Sequence, residues 1–285
     1  MRHESIVHPG QAGATARPAT GADAVGPTPE HVRVLSITQA TAATFADLYI
    51  GLALLVFIRT GAKKVVCPEN GELIGESGDL VIFPPDSVVT LENRPLLHQG
   101  YRADGLCFPR ALVAAVFADQ YQGGGAGVQV VRAALQPAKV FDLIKATLDD
   151  QSLPPSIHRH RLLEPLIWLR DIGVRLPTRA ERQPLGQIRS LIEATPGHPW
   201  RVAEVAARLA MSEATLRRSL ARSGHGFARI LLNTRLEKAL GLLQTTTAPV
   251  SWIALECGFK TPSHFAESFR MRFGIQPSLI RSVER

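Results

Sequence analysis

The sequence of 285 residues is poor in cysteine, aromatic side chains and long apolar runs. Its three cysteines, Cys67, Cys107 and Cys257, are far apart and odd in number, which fits reduced thiols better than a disulfide framework or a zinc site. The longest apolar run, Tyr49 to Ile58, is about half the roughly 20 residues that a helix needs to cross a bilayer. No apolar segment follows the charged N-terminus, so we expect no secretory signal, no membrane partner and a cytoplasmic location.

Basic and acidic residues are distributed unevenly along the chain. Residues 185–285 contain 14 Lys or Arg against 7 Asp or Glu, whereas residues 1–184 contain 18 of each. The whole formal net charge of +7 therefore belongs to the last third of the sequence. A neutral module joined to a basic one indicates a division of labour in which the basic module faces nucleic acid.

The N-terminal part predicts a tail followed by a small all-β domain. Residues 1–30 are rich in Ala, Gly, Pro and Thr, and we expect a flexible tail. Residues 31–122 alternate short apolar and β-branched runs with turn residues, which is typical of a small barrel or sandwich. The predicted strands are Val32–Ile37, Leu52–Ile58, Lys64–Cys67, Leu80–Phe83 and Val88–Leu91. Thr60-Gly61 and Glu69-Asn70-Gly71 are predicted hairpin connections.

Residues 123–184 predict a helical connector that begins at a glycine-rich run, 123–127, and ends in a polar linker, Pro177 to Pro184. Within it, the stripe Leu162–Leu169 has helical periodicity. Two interpretations stay open for this stripe: the seam of a homodimer, or a surface that packs on the chain's own barrel.

The basic third, residues 185–285, predicts two helix-turn-helix units. In the first, the helical spacing after Trp200 is interrupted at Leu209-Ala210-Met211, and Ser212 is placed to cap a second helix. A long helix over Phe227–Gln244 follows. In the second unit a short helix ends at Gly258, and Thr261-Pro262 is a strong helix start because a capping side chain precedes a proline.

Two such units on one rigid helix can read successive turns of DNA on one face, about 34 Å apart. The segment Trp200–Arg281 resembles the AraC/XylS family of bacterial transcription regulators. The resemblance is carried above all by Ile253-Ala254-Leu255-Glu256-Cys257-Gly258-Phe259, followed by Ser263-His264-Phe265. It implies transcription control, with promoter DNA as a partner and RNA polymerase as a second partner of an activator.

The resemblance also implies which side chains face the major groove. With the flanking cations, the predicted DNA contacts are Ala214, Arg217, Arg218, Arg222, Lys260, Pro262, Ser263, His264, Glu267 and Arg270. We also expect Arg272 on the outer face of the last helix. A solvated helix face is the alternative for the arginines. Ala210 departs from the family pattern, because glycine is common there, and the departure costs about 1 kcal/mol if the turn is left-handed.

Residues 71–85 contain, in order, a glycine-rich turn, an apolar strand and two prolines, a pattern that resembles a cupin-like barrel. Enzymatic cupins hold a metal with a His-x-His pair, and residues 31–122 contain no such pair, so we expect no metal, no cofactor and no catalytic residue. In AraC-like proteins such domains bind a small effector or form the dimer. The expected pocket would be lined by Leu54, Val56, Ile58, Val81 and Phe83. An acidic effector would need a cation nearby, and the candidates are Arg59, Lys63, Lys64 and Arg102. For each of these cations a solvated strand end is the alternative, and it is the favoured one.

The predicted fold class is therefore α+β in two domains: an N-terminal cupin-like β-barrel with a helical connector, and a C-terminal all-α double helix-turn-helix over residues 185–285. The predicted function is a DNA-binding regulator, controlled by a small-molecule effector at the N-terminal domain and not an enzyme. Two alternatives remain: a cupin-type enzyme that carries a DNA-targeting domain, and an architectural DNA-binding protein without a sensor role.

Overall fold

The computed structural model describes residues 32–119, 127–150, 152–178, 184–222 and 226–281. The tail predicted over residues 1–30 lies outside the described residues, as do residues 123–126 of the glycine-rich run and residues 179–183 of the polar linker. The described chain is α+β, with strands in the N-terminal part and helices toward the C-terminus, as predicted.

The strands form two antiparallel sheets. The first has the order β1-β8-β3-β6-β9 and the second the order β2-β7-β4-β5. The strands are β1 Arg33–Gln39, β2 Ala43–Ile50, β3 Ala53–Thr60, β4 Ala62–Cys67, β5 Gly71–Gly75, β6 Leu80–Phe83, β7 Ser87–Arg94, β8 Tyr101–Phe108 and β9 Gln129–Val131. Strand β9 pairs with β6, so the segment predicted as a helical connector also contributes an edge strand.

Both faces of the central strands of the first sheet are buried, because two different layers cover them. On β3 and β6, Val56, Ile58, Val81 and Phe83 belong to a hydrophobic cluster with buried residues of the second sheet, which places them between the two sheets. The two facing sheets together are called the barrel below. The alternate residues belong to a second cluster, formed with the helices that cover the sheet from outside: Leu55, Phe57, Leu80 and Ile82. Burial on both faces explains the nearly continuous apolar sequence of these strands.

Three helices cover the outer face of the first sheet. They are α1 Arg110–Phe117, α2 Pro137–Asp149 and α3 Pro155–Asp171. Leu162, Leu166 and Leu169 on α3 are buried in the cluster that also contains the outward residues of the sheet. Of the two interpretations of this stripe, the structure shows packing on the chain's own barrel.

The hairpin predicted at Thr60-Gly61 is wrong. Strand β3 pairs with β6 and β8, whereas β4 pairs with β5 and β7, so the chain crosses from one sheet to the other at this point. Gly61 has a φ of 87°, and a Cβ there would lie 2.5 Å from the carbonyl oxygen of Arg94. A turn with a glycine at positive φ can reverse the chain within one sheet, as in a hairpin, or lead it from one sheet to the other. The connection at Glu69-Asn70-Gly71 does join the antiparallel pair β4 and β5, as predicted.

Strand β2 is absent from the predicted strands, because a bulge breaks its alternation of buried and exposed residues. Its pairing with β7 shifts register between Phe45 and Leu48. Ala46 and Asp47 inside the bulge are both exposed, and Asp47 has a φ of 50°. Two consecutive outward residues are what a bulge produces, and they hide the period of two that marks a strand.

The C-terminal helices follow the predicted order. They are α4 Pro184–Ala194, α5 Val202–Arg208, α6 Glu213–Arg222, α7 Phe227–Thr245, α8 Val250–Glu256 and α9 Pro262–Phe273, with a short 3-10 turn at Pro277–Ile280. Helix α7 is the long linking helix. Its 19 residues correspond to a length of about 28 Å.

Candidate nucleic-acid interface and barrel cations

The first unit consists of α5, a tight turn and α6. Thr215 donates its backbone N–H to Ser212 Oγ at 3.1 Å, so Ser212 caps α6 as predicted. The unit has a core of its own, which contains Trp200, Val205, Leu216 and other buried residues of α4, α6 and α7. The cap and this core fix the orientation of α6.

Ala210 occupies the turn of the first unit with a φ of 53°, a left-handed conformation that favours glycine. We expect Ala210→Gly to raise the free energy of unfolding of the full chain by about 1 kcal/mol, because the strain of the Cβ disappears. Urea unfolding followed by circular dichroism measures the change. The matched control is Ala207→Gly in the exposed part of α5, which should lower stability by a similar amount. Equal losses for both variants would contradict the prediction.

The outer face of α6 carries the predicted contacts of the first unit. Ala214, Arg217 and Arg218 are all exposed. Arg217 Nη2 lies 3.4 Å from Glu213 Oε2, and Arg218 Nε donates to the carbonyl oxygen of Ala214 at 3.4 Å. These intrahelical contacts are long, so both guanidinium groups can be redirected toward a ligand at little cost. Arg222 closes α6, and its side chain lies outside the described part of the chain.

The second unit consists of α8, a turn and α9. Gly258 in the turn has a φ of 80°, and a Cβ there would lie 2.7 Å from the carbonyl oxygen of Pro196. His264 donates its backbone N–H to Thr261 Oγ1 at 3.3 Å, and Pro262 occupies the first turn of α9, as predicted. On the inner face of α9, neighbouring rings contact each other in a buried row: Phe265, Phe269 and Phe273. This row fixes which face of α9 points outward.

The outer face of the second unit carries most of the other predicted contacts. All of them are exposed: Lys260, Pro262, Ser263, His264, Glu267 and Arg270. The His264 ring lies 5.7 Å from the Phe259 ring, between centroids. The structure thus places exposed polar and cationic side chains on one helix of each unit. Their contact with DNA stays a prediction.

Arg272 is not on that outer face, and the prediction for it is wrong. Its side chain is 15% exposed and points to the N-terminal domain, where Nη2 donates to the carbonyl oxygen of Ala46 at 2.7 Å. Another cation, Arg235, is not among the predicted DNA contacts. It donates from α7 to the carbonyl oxygens of Pro196 and His198 at 2.8 and 2.9 Å. Helical periodicity shows only which residues share a face, and both arginines lie on faces that packing against other elements has covered.

The cations predicted for an effector differ in their surroundings. Arg59 pairs with Asp104 at 2.7 Å and with Asp142 at 3.3 Å. Lys64 Nζ lies 2.7 Å from Glu72 Oε2, and Arg102 is exposed. Of the four candidates, Lys63 is the one buried among the residues of the barrel.

Lys63 is 3% exposed, and its Nζ donates to Asn93 Oδ1 and lies 5.1 Å from the centre of the Tyr101 ring. Burial lowers the pKa of Lys63 to about 7. Asn93 Nδ2 in turn donates to Gln39 Oε1 at 2.8 Å, and Gln244 Nε2 on α7 donates to the same oxygen at 2.8 Å. A chain of hydrogen bonds thus runs from the barrel interior to the end of the linking helix.

The segment that carries the candidate interface is similar in sequence to known proteins. Residues 205–282 match the family described as a helix-turn-helix domain. The HTH-type transcriptional regulator YdeO of Escherichia coli (strain K12) is 32% identical over 100 residues, which are 35% of this chain and 39% of that protein. The transcriptional regulator SirC of Salmonella typhimurium (strain SL1344) is 40% identical over 85 residues, which are 30% of this chain and 29% of that protein. The chain therefore spans less than half the length of these relatives.

The fold of nearly the whole chain also has a solved counterpart. The structure of unsaturated fatty acid bound wild-type ToxT from Vibrio cholerae superposes with a TM-score of 0.60 at 16% identity, and covers 87% of this chain and 93% of that chain. The C-terminal part of the present chain is a helix-turn-helix domain. The relatives that this part matches are named as transcription regulators, in line with the resemblance that the sequence shows.

Among the residues that the structure describes, no helix is long and apolar enough to cross a membrane.

Proposed function

We propose that this chain is a sequence-specific, DNA-binding transcription regulator that acts in the cytoplasm and carries no catalytic role. The observation that carries the proposal is the pair of capped helices, α6 and α9, each with an exposed polar and cationic face. The linking helix between the two units, about 28 Å long, is a suitable spacer for two recognition helices that occupy successive major-groove turns, about 34 Å apart. RNA polymerase and a second copy of the chain stay predicted partners.

Each unit would read DNA with a different chemistry. On α6, Arg217 and Arg218 can donate bidentately to guanine edges or to phosphates, while the Ala214 methyl can contact a thymine methyl. On α9, Glu267 can accept from a cytosine amine, whereas Ser263 and His264 can bond to bases or phosphates. Two different faces on one scaffold favour an asymmetric site of two unlike half-sites.

The full chain, mixed with DNA selected from a random-sequence library, tests this proposal. We expect its footprint to cover two successive major-groove turns on one face. We also expect log K to fall linearly with log salt concentration, with a slope of about −0.9 per phosphate neutralised. Affinity that does not respond to salt, or protection of a single groove turn, would contradict the proposal.

We also propose that a small-molecule effector binds the N-terminal domain. Two observations support this: the fold counterpart ToxT is described with a bound unsaturated fatty acid, and Lys63 places a buried cation, without a carboxylate partner among the described residues, on the barrel side of the hydrogen-bond chain to α7. Lys63 is the cation that we assign to an acidic effector. An effector found by a thermal-shift screen of organic acids should raise the unfolding temperature of the full chain and leave that of Lys63→Met unchanged.

A further inference from the structure

The second unit and the N-terminal barrel share one hydrophobic core. A single cluster contains barrel residues such as Phe45 and Phe83 together with Phe265, Phe269 and Phe273 of α9, whereas the first unit has its separate core. The Phe45 and Phe273 rings meet edge to face at 5.5 Å between centroids. The backbone N–H of Ala40 also donates to the carbonyl oxygen of Ile280 at 3.0 Å. The barrel is therefore attached to the second recognition helix more closely than to the first.

Arg272 fixes the C-terminal end of α9 on the barrel. Its Nη2 donates to the carbonyl oxygens of Ala46 at 2.7 Å and Asp47 at 3.3 Å, which are the two residues of the bulge in β2. A bulge leaves backbone groups outside the ladder, and here the two carbonyls are aimed at one guanidinium. The bulge and the arginine thus form one contact between the two domains.

Glu237 on the linking helix connects this contact to the first unit. Its carboxylate is 8% exposed and lies 2.5 Å from Arg189 Nη1 on α4 and 3.6 Å from Arg272 Nη2 on α9. The Arg189 guanidinium also lies 4.9 Å from the centre of the Tyr49 ring on β2. One buried carboxylate therefore joins α4, α7 and α9, and both of its arginine partners contact β2.

Other charges surround this carboxylate. Burial raises the pKa of Glu237 to about 7. The positive charges of Arg189 and Arg272 lower this pKa, whereas the negative charge of Glu193 on α4 raises it further. Burial also raises the pKa of Glu193 itself, against Lys238, Arg189 and Arg33. The buried pair of Glu237 and Arg189 keeps its arrangement only while both partners are present, because a buried charge left alone is costly.

We propose that Arg272 and Glu237 are positioning residues of the DNA reader: strand β2 of the barrel sets the orientation of α9 relative to the first unit through them. The proposal rests on the proposed function, since it concerns how the two units are held on one DNA site. A change in the barrel that moves the β2 bulge would reach α9 through Arg272, and the first unit through Glu237 and Arg189.

The test uses the full chain and selected DNA in which the two half-sites are respaced by one or two base pairs. The variants are Arg272→Met, the near-isosteric Glu237→Gln, and Arg270→Met as the matched control on the exposed face of the same helix. We expect Arg272→Met and Glu237→Gln to bind the original and respaced sites within about threefold of each other, whereas the wild type discriminates by tenfold or more. Their salt slopes should equal that of the wild type.

Arg270→Met should behave in the opposite way. It should keep the spacing discrimination, and its salt slope should be smaller by about 0.9, as expected when a phosphate contact is removed. A salt slope that falls in Arg272→Met as it does in Arg270→Met would overturn the proposal, and so would wild-type spacing discrimination in both positioning variants. If circular dichroism shows that Arg272→Met is unfolded, the spacing discrimination and salt slope of Glu237→Gln alone decide whether the proposal holds. Absence of DNA binding by the wild type would refute the proposed function instead.

Discussion

Replacing Arg217 and Arg218 by alanine, singly and together, should weaken binding of the full chain to its selected DNA by about 1–3 kcal/mol for each bidentate interaction that is removed. This corresponds to roughly 5- to 150-fold per arginine. Both side chains are exposed, and their hydrogen bonds within α6 are long, so their removal should leave the free energy of unfolding nearly unchanged. Fluorescence anisotropy with labelled DNA measures the weakening.

The dependence of the weakening on DNA sequence separates base recognition from phosphate binding. Removing an arginine that reads a guanine should weaken binding mainly to sites that carry that base, whereas removing an arginine that binds a phosphate should weaken binding to all sequences and reduce the salt slope by about 0.9. Arg159→Ala on the exposed surface of α3 is the control and should bind as the wild type does. Unchanged affinity in the double variant would mean that α6 is not the recognition helix of the first unit.

Lys63→Met should remove a steep dependence of stability on pH. The amine loses its proton near pH 7 in the native state and near pH 10.5 in the unfolded state, so between these values the unfolded state binds more protons. The stability of the wild type should therefore rise with pH in this window, by up to about 1.4 kcal/mol per pH unit from this group. Across this whole pH window, the increase in the free energy of unfolding that comes from Lys63 is on the order of 5 kcal/mol.

Urea unfolding at several pH values between 7 and 10 measures the free energy of unfolding of wild type and variant. Lys64→Met, at the neighbouring position on the outer face, is the matched control, because Lys64 is partly exposed and pairs with Glu72. The control should keep the wild-type slope. The stability of Lys63→Met relative to the wild type should fall as pH rises, in addition to a constant cost of about 1–3 kcal/mol for the missing hydrogen bond to Asn93. Parallel curves for wild type and Lys63→Met would show that the buried amine does not titrate in this window.

The signals that predicted the DNA reader are local in sequence. Ser212, Thr261 and Gly258 act within one helical turn of their own positions, so their roles as caps and turn follow from residue type and spacing. The helical spacing of apolar residues, which predicts that Leu216 and Phe265 face inward, is likewise a property of single helices, and both residues are buried. For these reasons the exposed faces of α6 and α9 follow from the amino-acid sequence alone.

The barrel was predicted less completely, because strand pairing joins residues distant in sequence. The sequence shows a turn at Thr60-Gly61, but whether the chain reverses within one sheet or crosses to the other depends on the partners that β3 and β4 find elsewhere. The bulge in β2 has the same origin, because it exists only in relation to the register of β7.

By itself, then, the sequence determined the α+β class, the interior residues of β3 and β6 and the double helix-turn-helix, since hydrophobic period and capping chemistry act over a few residues. Only the tertiary structure decided that Lys63 is buried and that Arg272 faces inward. A charged side chain is buried where distant elements supply its partners: Asn93 for Lys63, and Glu237 and the β2 bulge for Arg272. No local pattern encodes those partners, because they meet only when the barrel and the second unit pack into one core.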